Sequence, residues 1–392
     1  MEKYSQFRDK VALLGTAIAP FFPVTTPPAS SLWTPLHILL FVIRVPPVFF
    51  LSLFYFLVLE WLPVPQLVRK GVLWLILAIP GVWWVDLQVD GVKRGYVDID
   101  PALCVAGYHS LPMSIYHLRK SRRTEEGARY RKLAEVPGHL PHPGTIIASS
   151  FTSPLDPLYL AGIFCPIFTR SYPSTRKVER ISLFRAILLA FGPPSIFPGN
   201  PDNLVTMKEL EAKHPQSIIC VFPECTTTNG RGILPLCPSL LTANPKTRIY
   251  PVNVRYTPGD ITTPVPGNYI LWLWKLLSKP THCMRVRIAR SMYNNPTLDS
   301  PIVWGEKAAG KGSGVDMVVD TDIFDSLHLR NGIVKDGGEG ETEGVGGKVK
   351  KDEQKVLDRV GEDLARLGRV KRVGLGVQDK IEFVKVWRKR RR

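Results

Sequence analysis

The chain has 392 residues, and its 51 lysines and arginines exceed its 34 aspartates and glutamates, which gives a formal net charge of +17. This excess favours an anionic partner, which could be nucleic acid, anionic lipid or a phosphorylated substrate. Nine tryptophans and a hydrophobic fraction of 45% are unusual for a nucleic-acid binder and ordinary at a membrane surface, so we expect a membrane partner and no nucleic acid. The six cysteines include no C-x-x-C pair and no histidines at zinc-finger spacing, so the sequence predicts no metal site and no disulfide scaffold.

The first 85 residues divide into an N-terminal segment and an apolar anchor. Residues 1–35 are Pro-rich and lack the order of charged, apolar and small residues found in a cleaved signal peptide, so we expect this segment to be retained. Residues 36–85 contain two apolar runs, 36–62 and 71–85. The first run exceeds the roughly 20 residues that a bilayer span needs. We therefore interpret 36–85 as a membrane anchor.

The geometry of this anchor stays open at the level of sequence. A short Pro-containing turn, Pro63–Pro65, separates the two runs. They could form a hairpin that dips into the membrane and returns, or a span followed by an interfacial helix. Two buried helices of a soluble domain are a third alternative. In either membrane arrangement Arg44 has to reach the interface or face protein.

The remainder of the chain falls into four further regions. Residues 86–143 form a basic connecting region, either a solvated helix or a contact with lipid head groups. Residues 144–303 alternate between strand and helix patterns, which predicts an α/β domain. Residues 304–355, rich in Gly and charged residues, are expected to be a disordered linker. Residues 356–392 predict an amphipathic helix and a basic tail.

Within the α/β domain, hydrophobic periodicity predicts each element in turn. Strands are expected over Thr145–Ser149, Ile167–Thr169, Ile196–Phe197, Ser217–Phe222, Thr247–Tyr256 and Met284–Ala289, and helices over Asp156–Cys165, Ile181–Phe191, Asp202–His214 and Asn268–Lys279. We expect Pro251 to interrupt the strand Thr247–Tyr256.

A polar loop follows the strand that ends near Phe222. Pro223 stops that strand and places Glu224 at its end. Three threonines, Thr226 to Thr228, then Asn229 and Arg231 supply hydroxyl donors, a turn and a cation. Such a loop suits a phosphate and a glycerol-like diol. A capped turn with a purely structural role is the alternative interpretation.

A second polar loop, Ser149–Asp156, lies between the first strand of the domain and its helix, about seventy residues earlier. Together with Phe222–Thr226 and the strand Ile249–Val252, it resembles the first, third and fourth motifs of the PlsC-type phospholipid and glycerol acyltransferases. In particular, it resembles the fungal branch that includes lysophosphatidic acid acyltransferases and a protein linked to vacuolar sorting. The resemblance implies an α/β PlsC-like acyltransferase domain preceded by an apolar membrane anchor, either a hairpin or a span.

The resemblance also implies roles for individual residues. In the family's first motif, N-H-x-x-x-x-D, the histidine takes a proton from the acceptor hydroxyl and the aspartate orients it. Here Ser150 and Phe151 occupy the Asn and His positions, Asp156 is retained, and Cys225 replaces the glycine of the third motif. The catalytic residues implied are Asp156 and Glu224. The substrate-binding residues implied are Ser150, Thr152, Ser153, Pro223, Thr226, Asn229 and Arg231.

The absent histidine leaves three alternatives for the chemistry. Another base, His139 or His142, could reach the site. Substrate phosphate or water could take the proton while the protein supplies orientation. Catalysis could also be lost, which would leave a lipid-binding protein of membrane trafficking.

The function predicted from these features is an O-acyltransferase of the 1-acylglycerol-3-phosphate type. It would convert lysophosphatidic acid to phosphatidic acid with acyl-CoA as co-substrate and no bound cofactor. The expected location is the membrane of the endoplasmic reticulum or a lipid droplet, with the α/β domain facing the cytosol.

Overall fold

A computed structural model describes residues 2–9, 18–26, 31–62, 64–90, 139–295 and 351–389. Most of the predicted connecting region 86–143 and of the predicted linker 304–355, and the last three residues of the basic tail, lie outside the described residues. The predictions for those parts therefore remain predictions.

The described residues are built around a mixed sheet of nine strands, in the order β1-β9-β8-β2-β6-β3-β4-β5, with β10 paired to β8. Its four central strands, β8, β2, β6 and β3, are parallel to one another. A small second sheet pairs β7 with β11. The strands are β1 Trp84–Val89, β2 Ile146–Ser149, β3 Ile167–Ser171, β4 Val178–Ile181, β5 Leu204–Val205, β6 Ile219–Val221, β7 Gly232–Ile233, β8 Arg248–Thr257, β9 Cys283–Ile288, β10 Met292–Tyr293 and β11 Lys371–Arg372.

The helices lie on both faces of this sheet. They are α1 Thr34–Phe54, α2 Gln66–Ala78, α3 Leu155–Phe164, α4 Leu183–Leu189, α5 Met207–Lys213, α6 Tyr269–Leu277, α7 Lys351–Gly368 and α8 Val377–Lys389. A π-helical turn, Tyr55–Leu59, continues α1. The mixed α/β architecture agrees with the prediction from the strand and helix pattern.

The alternation of side chains along the central strands separates two cores. In β2, Ile147 points into a core shared with α2 and α3, whereas Ile146 and Ala148 point into a core shared with α5 and α7. Every residue of β2 is buried. The loops that follow the parallel strands are therefore held on a rigid base, which is the usual position of a ligand site in such sheets.

The apolar N-terminal run forms a helical hairpin on the α/β domain. Thr34–Leu59 is long and apolar enough to cross a membrane, and little of its most apolar stretch is buried. Its Arg44 donates hydrogen bonds to the carbonyl oxygens of Leu277, Lys279 and Pro280 at 3.3, 2.5 and 3.0 Å. The arginine therefore faces protein, as one of the sequence interpretations required, and it satisfies carbonyls at and beyond the end of α6.

Two of the predicted boundaries are wrong. Residues 84–89, assigned partly to the anchor and partly to the connecting region, form β1 at the edge of the main sheet, paired with β9. Their alternation of Val85, Leu87 and Val89 with polar residues is a strand pattern that the preceding apolar run concealed. Residues 351–355, assigned to the linker, belong to α7.

The C-terminal helices also belong to the domain rather than to a separate tail. Leu357, Val360 and Leu364 of α7 are buried beneath the sheet. Phe383 of α8 is fully buried against Phe7 and other aromatic side chains of the N-terminal segment. The amphipathic pattern predicted a helix correctly, but its partner surface could not be identified from the helix alone.

Several element assignments within the domain also differ. Residues 196–197 form no strand, and the helix expected from Asp202 begins only after Thr206, whose side chain and that of Glu209 form a reciprocal cap. Strand β4 went unpredicted because its residues, 178–181, run into the apolar pattern of the following helix. Pro251 does not interrupt β8, which is continuous from Arg248 to Thr257.

Candidate active site

The two polar loops singled out in the sequence lie side by side at the carboxyl edge of the sheet. They follow β2 and β6, which are neighbouring parallel strands. The amide of Thr228 donates a hydrogen bond to the carbonyl of Phe151 at 3.0 Å, so the loops are in direct contact. The fold therefore brings Asp156 and Glu224 to the same edge of the sheet.

Asp156 organises the first loop. Its Oδ2 atom accepts hydrogen bonds from the amides of Thr152 and Ser153 at 2.6 and 3.0 Å and from the Thr152 hydroxyl at 3.1 Å. Its Oδ1 atom accepts a hydrogen bond from the Tyr256 hydroxyl at 2.5 Å. The side chain is fully buried. Burial raises the pKa of Asp156 to about 6, although the hydrogen bonds from Tyr256, Thr152 and Ser153 oppose the rise.

Phe151, at the position of the family's histidine, is part of the core. Its ring stacks on that of Phe222 with the centroids 4.4 Å apart, and the residue is buried. The hydrogen bond to Asp156 that an imidazole would make in the family is made by Tyr256 instead. In this structure a hydroxyl on β8 is therefore the partner of Oδ1 of the carboxylate.

His139 and His142 do not supply the missing base. Both precede β2, whereas Asp156 follows it, so the length of the strand, about 13 Å for four residues, lies between them. The Nδ1 atoms of these histidines contact the carbonyls of Asp90 and Leu140. No histidine in the described ranges hydrogen-bonds to Asp156 or Glu224. The structure therefore does not favour the alternative that relied on these two histidines.

Glu224 lies at the end of β6 with its side chain buried. Its Oε2 atom accepts a hydrogen bond from the amide of Leu234 at 3.1 Å. Its Oε1 atom has no partner of acceptable geometry among the described residues, although the amide of Phe151 lies near enough to favour the charged form. Burial raises the pKa of Glu224 to about 8, against the opposing effect of these amides and of Lys380.

Lys380 is a component of the site that the motif comparison did not predict. This residue of α8 is buried, and its ammonium group donates to the Thr226 hydroxyl at 2.8 Å and to the Thr227 carbonyl and hydroxyl at 2.5 and 3.0 Å. Burial lowers the pKa of Lys380 to about 7, while the charge of Glu224 opposes this effect. A signal was present, because Lys380 lies three and four residues before Phe383 and Val384, on the apolar face of the helix.

Three of the substrate-binding residues implied by the family resemblance line a cavity of about 400 Å³ beside the two loops. They are Thr152, Asn229 and Arg231. Arg231 is exposed, so its guanidinium is available to a ligand. The amide group of Asn229 is already bound to the carbonyls of Ala19 and Phe22 at 2.7 and 2.9 Å. Asn229 therefore anchors the N-terminal segment to the loop as well as lining the cavity.

The other implied binding residues turn into the protein. The Ser150 hydroxyl accepts from the amide of Val254 at 3.2 Å, and that of Ser153 donates to the carbonyl of Ile261 at 3.0 Å. Thr226 accepts from Lys380, and Pro223 is buried. These residues shape the loops but make their polar contacts with the protein. Cys225, at the family's glycine, has a φ of 59°, a left-handed conformation that explains why glycine suits this position.

No group of three or more His, Cys, Asp or Glu side chains able to hold a metal ion occurs in the part of the chain that the structure describes.

The chain is similar to one curated protein of the fission yeast Schizosaccharomyces pombe, named "Putative lysophosphatidic acid:oleoyl-CoA acyltransferase". The two are 26% identical over 273 residues, which cover 68% of this chain and 77% of the relative. No family model matches the chain, and no solved structure matches it significantly. This similarity supports a general acyltransferase role, in agreement with the motif resemblance. The particular branch of the family stays a prediction.

Proposed function

We propose that the protein is an acyl-CoA-dependent acyltransferase that converts lysophosphatidic acid to phosphatidic acid. The observation that carries the proposal is the contact between the two motif loops, which places Asp156 and Glu224 at one edge of the sheet. The yeast relative, whose name includes lysophosphatidic acid and oleoyl-CoA, supports this choice of acceptor and donor.

The reaction transfers an acyl group from the sulfur atom of acyl-CoA to a hydroxyl oxygen of lysophosphatidic acid. The free hydroxyl of lysophosphatidic acid attacks the thioester carbonyl of acyl-CoA, the new ester C–O bond forms, and the C–S bond breaks. The hydroxyl proton ends on the departing thiolate, so CoA leaves as a thiol. A hydroxyl is a poor nucleophile at neutral pH until a positioned group accepts its proton.

We assign the temporary acceptance of this proton to Asp156, acting through Tyr256. The tyrosine hydroxyl donates to Oδ1 of Asp156, so it can accept the substrate proton on its own oxygen as it passes its proton to the carboxylate. A carboxylate whose pKa is about 6 is ionised at neutral pH and still basic enough to take part. Glu224 and Lys380 hold the loop that follows β6 in its conformation through their hydrogen bonds with Leu234 and Thr226.

The apolar hairpin supplies the membrane contact in this proposal. Large apolar side chains on its outer surface, such as Phe50, Leu57 and Trp61, are exposed by 65%, 63% and 85%. Since α1 and α2 both pack on the α/β domain, the hairpin arrangement fits better than a span that leaves the domain. The proposed site of action is the cytosolic surface of the endoplasmic reticulum or a lipid droplet.

The test is acyl transfer by the purified full-length protein in detergent. Thiol release from oleoyl-CoA is followed with and without lysophosphatidic acid, and phosphatidic acid is identified as product. The Asp156→Asn variant is the matched control, because its amide oxygen still accepts from the loop amides while its amide group can donate to Tyr256.

Release that depends on the acceptor and is lost in Asp156→Asn supports the proposal. A wild-type protein that binds lysophosphatidic acid and releases no CoA contradicts it, and that result would favour a non-catalytic lipid-binding protein of membrane trafficking. Undiminished turnover in Asp156→Asn would contradict the assignment of the proton acceptor.

A further inference from the structure

The cavity beside the two loops is lined by an unusual concentration of positive charge. Its volume is about 400 Å³, and no acidic side chain is among the described residues that line it. We refer to it as the arginine cavity, defined by its five arginines: Arg231, Arg255, Arg285, Arg287 and Arg369. Apart from Arg231, none of them belongs to the motifs that suggested the acyltransferase chemistry.

The pairing of two strands places three of these arginines on one face of the sheet. Arg255 of β8 lies opposite Arg285 of β9, and Asn253 lies opposite Arg287. Because side chains alternate along a strand, Arg285 and Arg287 point to the same side. The intervening Val286, with Val254 of β8, packs into the core on the other side. The alternation of arginine and apolar residues in β9 thus builds one charged wall.

A further part of the cavity wall comes from the end of α7. Arg369 follows Gly368 with a φ of 51°. The amides of Val370 and Arg369 donate to the carbonyls of Ala365 and Arg366 at 2.9 and 3.1 Å, which is the hydrogen-bond pattern of a Schellman turn. Glycine is the preferred residue at this left-handed position, and an arginine there is strained. In this conformation Arg369 is the fifth arginine that lines the cavity.

The described residues hold these guanidinium groups in place but neutralise only one of them. Arg255 and Arg287 donate to the carbonyls of Gly368 and Leu367 at 3.0 and 2.5 Å. Of the five arginines, only Arg285 forms an ion pair within the described part of the chain, with Asp86 at 2.9 Å. Burial, followed by the charges of Arg369 and Arg285, lowers the pKa of Arg287, so the mutual repulsion is appreciable. Each guanidinium keeps N–H donors beyond those used here.

We infer that the arginine cavity binds the phosphate groups of a phosphate-bearing substrate, with Arg255, Arg287 and Arg369 as contacts in addition to Arg231. Planar guanidinium groups match phosphate oxygens bidentately, and a cavity of this volume holds a phosphomonoester with its glycerol or a diphosphate. Thr152 and Gly230 also line the cavity, so its ligand would lie beside the loop that Asp156 organises. This inference rests on the proposed function for its choice of ligands.

Two sources of phosphate fit this chemistry, the head group of lysophosphatidic acid and the diphosphate and 3′-phosphate of CoA. Binding to the full-length protein in detergent distinguishes them without any turnover. The probes are a short-chain lysophosphatidic acid against the monoacylglycerol of equal chain length, and CoA against 3′-dephospho-CoA. Affinities are measured at two salt concentrations, because a site that neutralises phosphates weakens as salt rises.

The informative variants are Arg255→Gln, Arg369→Gly and their combination. Arg369→Gly restores the residue preferred at a left-handed position, so it removes the charge without loss of folding. Arg290→Gln is the matched control, because this exposed arginine follows β9 and does not line the cavity. Thermal unfolding of each variant verifies that the fold is intact.

We expect the double variant to bind one phosphate-bearing probe at least tenfold more weakly than the wild type, with a smaller dependence of the affinity on salt. The Arg290→Gln variant should bind as the wild type does. Loss of affinity for lysophosphatidic acid alone identifies the lipid head group as the ligand. Loss of affinity for CoA alone identifies the acyl donor as the ligand. Unchanged affinity for both probes in a folded double variant overturns the inference. Binding that depends on these arginines in a protein without acyl transfer would contradict the proposed function and leave this inference in place.

Discussion

The ammonium group of Lys380 lies 2.8 Å from the hydroxyl of Thr226, two residues beyond Glu224. The last described helix of the chain therefore reaches into the loop that follows β6, across 154 positions of sequence. The loop gains a buried cation that fixes Thr226 and Thr227, and the helix gains an anchor in the centre of the domain. The C-terminal helix is part of the candidate active site.

Replacement of Lys380 by methionine should destabilise the protein and reduce acyl transfer. Methionine fills much of the same space but leaves the Thr227 carbonyl and two hydroxyls without their donor, which costs about 1–3 kcal/mol. The free energy of unfolding is measured by urea denaturation. Lys385→Met is the control, because Lys385 is exposed on the same helix. Equal stability of the two variants would show that the buried contacts of Lys380 contribute nothing.

The buried carboxyl of Glu224 predicts how stability depends on pH. Its folded pKa of about 8 lies above the ordinary value of 4.5, so the folded state binds a proton that the unfolded state has lost between these values. The free energy of unfolding should therefore fall as pH rises through this window, by up to about 1.4 kcal/mol per pH unit. Lys380 acts in the opposite sense above pH 7, since its pKa is lowered on folding.

The measurement is urea denaturation at quarter-unit steps from pH 6.5 to 7, above the folded pKa of Asp156 and below that of Glu224. Glu224→Gln should remove most of the slope in this interval, because glutamine does not titrate. A slope that persists unchanged in this variant would assign the pH dependence to another group.

The contact of the two loops was predictable because it follows from motif order and local pattern. Each loop follows an apolar strand, and parallel neighbouring strands bring such loops to one edge. Asp156 and Glu224 could be placed there from sequence alone. The hydrogen bond from Tyr256 to Asp156 could not, since it depends on the register of β8 against β2, which nothing in the residues of β8 specifies.

The contributions of distant segments were likewise beyond local patterns. In the sequence, the residues of β1 resemble the end of an apolar run, and they form a strand because they pair with β9. Lys380 stands out as a lysine on an apolar face, yet its partners lie in a different part of the sequence. The charged wall of the arginine cavity is visible as alternating arginines in β9, but the fifth arginine comes from beyond α7.

The exposed tip of the apolar hairpin predicts a contribution of Trp61 to membrane binding. This side chain is 85% exposed, and tryptophan prefers the bilayer interface. Trp61→Glu should lower partitioning onto phosphatidylcholine vesicles several-fold, as measured by flotation. Asn203→Glu is the control, because it places the same charge at an exposed position near β5. Equal flotation of both variants would contradict a membrane contact at the tip of the hairpin.

The hydrogen bond from Tyr256 to Asp156 predicts a specific change in the pH profile of acyl transfer. Tyr256→Phe keeps the ring but removes the donor to Oδ1, and this donor lowers the pKa of Asp156. Without it the carboxylate should ionise at a higher pH. The ascending limb of kcat/KM, near pH 6 in the wild type, should therefore move to higher pH, and the maximum should fall about 100-fold because the hydroxyl no longer relays the proton.

The profile is measured by CoA release with lysophosphatidic acid as acceptor. Tyr172→Phe, a buried tyrosine whose hydroxyl donates to Glu179 and not to Asp156, is the control and should leave the limb in place. A loss of rate without displacement of the limb would mean that Tyr256 supports the fold of the site and takes no part in the ionisation of Asp156.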